Sequence, residues 1–286
     1  MKDFESQARA FGEQIEAEIA EGHLSFPTSL DVSLRIKRLA DSPASSLEEI
    51  AAAVKTEPVL SAKTVRMANA VALNPQATPI TNVADAVRRI GLSSLRCLAF
   101  SVAAEQLAQD HRSPKMRTIA SGLWMHAVDV AAWSYALARD LRVVNPDTAM
   151  FAGMLADIGQ FLLLARAAEY PALEDDLPRF AGFVTTWSEP VSEAVLDVFE
   201  LPESILDAFE CSNPYGGSWP PANLADILFV AELAAETPNP FDKLLGLDHR
   251  TSLLDAATHG IDQQDLDHLL ESARENRQLI LAALCS

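Results

Sequence analysis

The 286-residue chain is 49% hydrophobic, enough for a continuous core, and its net charge of −18 excludes unassisted nucleic-acid binding, which rests on clustered Lys and Arg. Cys97, Cys211 and Cys285 lie far apart and offer neither a C-x-x-C motif nor a disulfide framework. No apolar run approaches the ~18 residues of a bilayer span, and Met1 to Ala20 mixes Lys2, Asp3, Glu5, Glu13 and Glu16 among its apolar positions, unlike a signal peptide. A cytoplasmic protein without membrane contact is expected. Charge is also unevenly placed: basic and acidic residues balance up to Arg142, and the acidic excess lies beyond it.

Helical periodicity recurs along the chain and alternating strand patterns are nearly absent, which predicts an all-α fold. A helical extension over 1–24 comes first. Ser46-Leu47-Glu48-Glu49 has the form of a capping box, with Ile50 and Val54 on one helical face behind it. Thr56-Glu57-Pro58 starts a further helix, with Leu60, Thr64, Met67 and Val71 along one side. Asn82 opens another with Val83, Val87 and Ile90 in one stripe, Gly91 closes it, and Leu95, Leu98 and Val102 begin the next.

The polar stretch Asp110 to Thr118, with Pro114, reads as a connection. Leu123 to Leu141 is apolar on nearly every side, as for a helix at the centre of a bundle, where Trp124, Trp133 and Leu137 should be buried. Asn145-Pro146 caps a helix ending near Gly159, and Phe161 to Arg166 continues it after a break. Later helices are expected over Glu189 to Phe199, Pro202 to Cys211, Ala222 to Ala235 and Gln263 to Ala283, with Ser212 to Pro221 as a loop. The chain thus divides into two packed helical bundles, 25–112 and 119–286, behind the 1–24 extension.

Several motifs then fall in a recognisable order. Phe26-Pro27 and Leu39-Ala40-Asp41 are followed by Thr56-Glu57-Pro58-Val59-Leu60, Val65-Arg66-Met67-Ala68-Asn69-Ala70, Pro79-Ile80-Thr81-Asn82-Val83 and Arg89-Ile90-Gly91 with Leu95-Arg96. The second half adds Trp124-Met125-His126-Ala127, Phe151-Ala152-Gly153-Met154-Leu155-Ala156-Asp157-Ile158-Gly159 and Leu201-Pro202-Glu203-Ser204-Ile205. From about Ser25 to about Glu236 this resembles the HDOD family, a degenerate relative of the HD-domain metal phosphohydrolases. The resemblance implies that the second bundle is HD-like and that the chain belongs to bacterial signal transduction.

The same resemblance implies where a metal site would have stood. His126 and Asp157 match its first His and its Asp, Ala156 replaces the intervening His, and Ser188, Cys211 and Ser212 stand about where related enzymes place further His residues. Two hard ligands fall short of the three or more that a catalytic metal site needs, so no metal, no cofactor and no catalytic residue is expected. Val130, Trp133 and Leu137 follow His126 on one face, the pattern of a hydrogen-bonded core histidine.

The expected function is that of a non-catalytic regulatory module acting by protein–protein binding on a signalling protein in trans. Lys63, Arg66, Arg88, Arg89 and Arg96 are the candidate surface for an acidic partner, because only this half is rich in cations. Two alternatives stay open: a sensor that holds a nucleotide or another anion in the former metal cleft, and a residual metal-dependent phosphohydrolase.

Overall fold

The structure, a computed structural model, describes residues 3–22, 24, 35–36, 38–42, 44–70, 79–110, 113–198, 201–210, 219–248 and 261–285, with the side chains of 107–110 and 210 excepted. Among these residues every regular element is helical. The order is α1 (Phe4–Ala20), α2 (Leu47–Lys55), α3 (Pro58–Asn69), α4 (Val83–Asp110), α5 (Pro114–Leu141), α6 (Pro146–Leu155), α7 (Ile158–Arg166), α8 (Leu177–Val198), α9 (Glu203–Glu210), α10 (Leu224–Ala234), α11 (Pro240–Leu245) and α12 (Gln263–Cys285). Two short 3₁₀ turns, Ala167–Glu169 and Pro171–Asp175, join α7 to α8.

Local sequence chemistry sets most helix ends. The capping box at α2 forms as expected, with Ser46 Oγ accepting from Glu49 N and Glu49 accepting from Ser46 N. Gly91 breaks α4 at φ 77, a left-handed conformation that glycine adopts without a Cβ penalty. Ser113 caps α5 by accepting from Met116 N, and Pro114 sits in its first turn. The expected connection through Thr118 is therefore shorter, because a proline read as a breaker serves as a helix start.

The helix expected from Glu189 begins at Leu177 and carries Pro190 inside it. Thr186 and Pro190 both face solvent, where water can satisfy the carbonyl that a proline leaves without its helical donor.

Helix α5 is the spine. It packs on α6, α12, α4 and α10, and Trp133 and Leu137 are buried in it. Trp124 is only partly buried, and its indole N–H donates to Ser101 O at 3.2 Å. One contiguous apolar core runs from Phe11 and Ile15 of α1, through both halves of the chain, to Ile280 and Leu284 of α12.

By length and hydropathy the run Pro146–Glu169 passes for a membrane-crossing helix, contrary to the reading that no run approaches that length. It is broken between α6 and α7, and most of it is buried inside the protein. The break comes earlier than the sequence suggests, at Ala156 and Asp157 rather than near Gly159.

Candidate functional site

The break between α6 and α7 places Asp157 at the N-terminus of α7, not at the C-terminus of a longer helix. A carboxylate is favoured there by the helix dipole. Two glycines make the approach possible. Gly153 lies so close to Ala131 and Ser134 on α5 that a Cβ would collide with them, and a Cβ on Gly159 would collide with Ser188 O and Ser192 Oγ on α8. Ser192 Oγ accepts from Gly159 N at 3.1 Å, which pins α7 to α8 beside Asp157.

Asp157 faces His126, which projects from α5 and is buried. His126 Nε2 is 3.4 Å from Asp157 Oδ2 and 3.2 Å from Glu232 Oε2 of α10. His126 Nδ1 lies 2.7 Å from the carbonyl of Thr237. That contact assigns Nδ1–H as a donor and turns Nε2 toward the carboxylates. Asn239 completes the wall, its amide donating to Asp157 Oδ1 at 3.3 Å and to Gln160 Oε1 at 3.0 Å.

Burial disfavours the charged form of the His126 ring, but the Glu232 and Asp157 carboxylates and the Thr237 carbonyl together outweigh it and push the pKa up to about 10. At neutral pH the ring is then an imidazolium between two carboxylates.

Glu232 is the residue that the sequence reading missed. With it, one imidazole nitrogen and two carboxylate oxygens lie within 4.8 Å of one another, so the expected pair of hard ligands becomes three. Ligands about 2.0–2.2 Å from a metal ion stand about 3.0–3.6 Å apart around it, and both measured separations from Nε2 fit that range. Both Nε2 separations therefore suit a single divalent cation held by His126, Asp157 and Glu232, which would have to displace the proton on His126. Alanine at 156 adds nothing to it.

Beside Asp157 opens a cleft of about 600 Å³ between α7, α8 and α9. Leu155, Ala156, Leu196, Leu206 and Phe209 form its apolar surface, and Asp157, Glu189, Glu193 and Asp197 line it with carboxylates. No Lys or Arg lines it among the described residues. Ser188 lies on the rim, its hydroxyl donating to Thr185 O of its own helix at 3.3 Å. Cys211 and Ser212 lie outside the described residues.

The cations expected to meet a partner are spread over α3 and α4 and are partly engaged within the chain. Lys63 pairs with Glu105 at 2.8 Å and lies over the Trp124 ring, and Arg96 pairs with Asp41. Arg88 pairs with Asp85 on an exposed face, while Arg66 and Arg89 are exposed.

The HDOD domain profile matches residues 26–212, well over half of the sequence. The chain belongs to the HDOD family. No curated protein matches it. Among solved structures it is similar to a "putative metal-dependent phosphohydrolase" from Shewanella amazonensis, with TM-score 0.69 and 22% identity over 98% of this chain and 99% of that one. It is also similar to an HDOD domain protein of unknown function from Geobacter sulfurreducens, with TM-score 0.54 and 23% identity over 97% and 98%. A third likeness is to a "putative signal transduction protein" from Marinobacter aquaeolei, with TM-score 0.52 and 18% identity over 98% of this chain and 67% of that one. At these identities the likeness establishes the HDOD fold. Glu232, Thr237 and Asn239 of the centre lie beyond the part that the HDOD profile matches.

Proposed function

We propose that this HDOD chain is a regulatory module that acts by binding another protein and does not hydrolyse phosphoesters. The observation that carries the reading is the cleft beside Asp157, lined by Asp157, Glu189, Glu193 and Asp197 with no Lys or Arg among the described residues. Phosphoryl chemistry needs positive charge on the phosphate oxygens, from metal ions or from Arg and Lys. Here the carboxylates repel the substrate, and the ligand set suffices for one cation at most. The same repulsion counts against a nucleotide or anion sensor. The signal-transduction description of the Marinobacter aquaeolei protein of the same fold agrees with a regulatory role.

The exposed cations Arg66, Arg88 and Arg89 make α3 and α4 the face offered to an acidic partner. The test is capture of the partner by the full chain at physiological salt, followed by a binding titration of the purified pair. A defined complex that weakens with rising salt, and weakens further when Arg66, Arg88 and Arg89 are changed to Ala, is expected. A chain that retains no partner under these conditions contradicts the reading.

A second reading is favoured by the 3.2 and 3.4 Å separations around His126 Nε2. His126, Asp157 and Glu232 would hold one divalent cation that ties α5, α7 and α10 together, and a bound ion of this kind polarises whatever oxygen ligand completes its shell. Elemental analysis of protein purified with Mn²⁺ or Zn²⁺ tests this reading, and an empty site after both purifications contradicts it.

A further inference from the structure

The residues that orient His126 reach past the cluster to the last helix. Asp129 follows His126 by one turn on α5 and is buried. Its Oδ1 accepts from Arg277 Nε at 3.0 Å and Nη2 at 2.7 Å, and its Oδ2 accepts from Glu236 N at 2.8 Å and Thr237 N at 3.0 Å. Four donors thus converge on one carboxylate. They fix the turn that carries the Thr237 carbonyl, and that carbonyl holds His126 Nδ1. Arg277 comes from α12, lies over the Trp133 ring at 5.3 Å and also reaches Glu236 Oε2 at 3.2 Å.

Burying this pair has no clear advantage for stability alone, since well-packed apolar residues of similar volume often serve as well or better. What an apolar pair cannot do is accept the two turn amides, and without them the Thr237 carbonyl is free to swing. We propose that Asp129 and Arg277 are positioning residues for the His126 centre. They lock the 236–237 turn and, through Thr237 O, set the orientation of the imidazole. The C-terminal helix, outside the family match, is therefore a working part of the centre. This inference rests on the His126, Asp157 and Glu232 cluster being the functional centre, but its test does not depend on what that centre binds.

The experiment records ring and amide NMR spectra of the full chain labelled with ¹⁵N, beside Mn²⁺ titration calorimetry. In the wild type the His126 Nδ1–H and the amides of Glu236 and Thr237 should exchange slowly. In Arg277→Met, still cooperatively folded, exchange at all of these sites should quicken by about tenfold or more, and Arg277→Lys should restore part of the protection. If the wild type takes up Mn²⁺, its dissociation constant should rise roughly 10- to 100-fold in Arg277→Met. A purely structural pair would lower the unfolding midpoint and leave the His126 ring spectrum unchanged, and that result overturns the proposal. Should Arg277→Met not fold, Arg277→Gln is read in its place, and an unchanged ring spectrum there overturns it equally. Absence of Mn²⁺ uptake by the wild type removes the cation reading only, while the NMR result still decides the positioning role.

Discussion

His126 and Asp157 lie inside the segment that the HDOD profile matches, whereas Glu232, Thr237, Asn239 and Arg277 lie beyond it. The first pair comes from a motif-bearing helix and a glycine-flanked break whose sequence marks them out. The second group comes from α10, from the turn after it and from α12, none of which carries a motif. Counting ligands along a motif finds half of such a centre, because the fold brings the other half from elements selected for packing.

The largest expected effect tests the matched half. Trp133→Ala removes a fully buried ring from the spine and should destabilise the chain by about 3–5 kcal/mol in denaturant unfolding. An unchanged midpoint would remove α5 from its central place.

The next prediction joins the two halves through pH. The His126 pKa is raised from 6.5 to about 10, so the protonated ring contributes stability that is complete below pH 6.5 and is lost as pH rises through about 10. Unfolding free energies measured with chelator present should fall over that window by up to about 5 kcal/mol. Glu232→Gln removes the foremost cause of the upward shift and should flatten the fall. An equally steep profile in Glu232→Gln would separate Glu232 from the centre.

Gly159→Ala tests the approach of α7 to α8, since its methyl would meet Ser188 O and Ser192 Oγ. A loss of about 1–3 kcal/mol is expected, and a neutral result would mean that the two helices part easily. The smallest effect belongs to the exposed pair Arg88 and Asp85. Arg88→Ala should leave the unfolding midpoint unchanged, so any loss of partner binding in that variant belongs to the interface.

The all-helical fold, the capping box at Ser46, the break at Gly91 and the buried spine were legible because each rests on local chemistry or on periodicity. The facing of His126 and Asp157 was legible only through the family resemblance. Glu232 left one trace, as a charge in the otherwise apolar Leu224–Ala234. The other charge there, Asp226, is explained by the helix start, where it accepts from Ala222 N and donates its own N–H to Asn223. Glu232 stands near the other end of the helix, away from the N-terminal turn that a carboxylate caps, and a charge there on a buried helix points to a distant partner. Asp129 on α5 carries the same trace, and its partner Arg277 is 148 residues away. No local pattern spans that separation. Pro114 misled because a proline that opens a helix and a proline in a connecting loop look alike in sequence.

The central proposal is that this chain does not hydrolyse phosphoesters, because the acid-lined cleft repels the substrate and the ligand set suffices for one cation at most. The most direct measurement is hydrolysis of a generic phosphodiester and of cyclic dinucleotides by the purified chain, with Mn²⁺, Fe²⁺ or Zn²⁺ supplied and metal content determined on the same sample. The account predicts rates no different from those of metal alone, for the wild type and for Asp157→Ala. Metal-dependent turnover by the wild type that disappears in Asp157→Ala would contradict it.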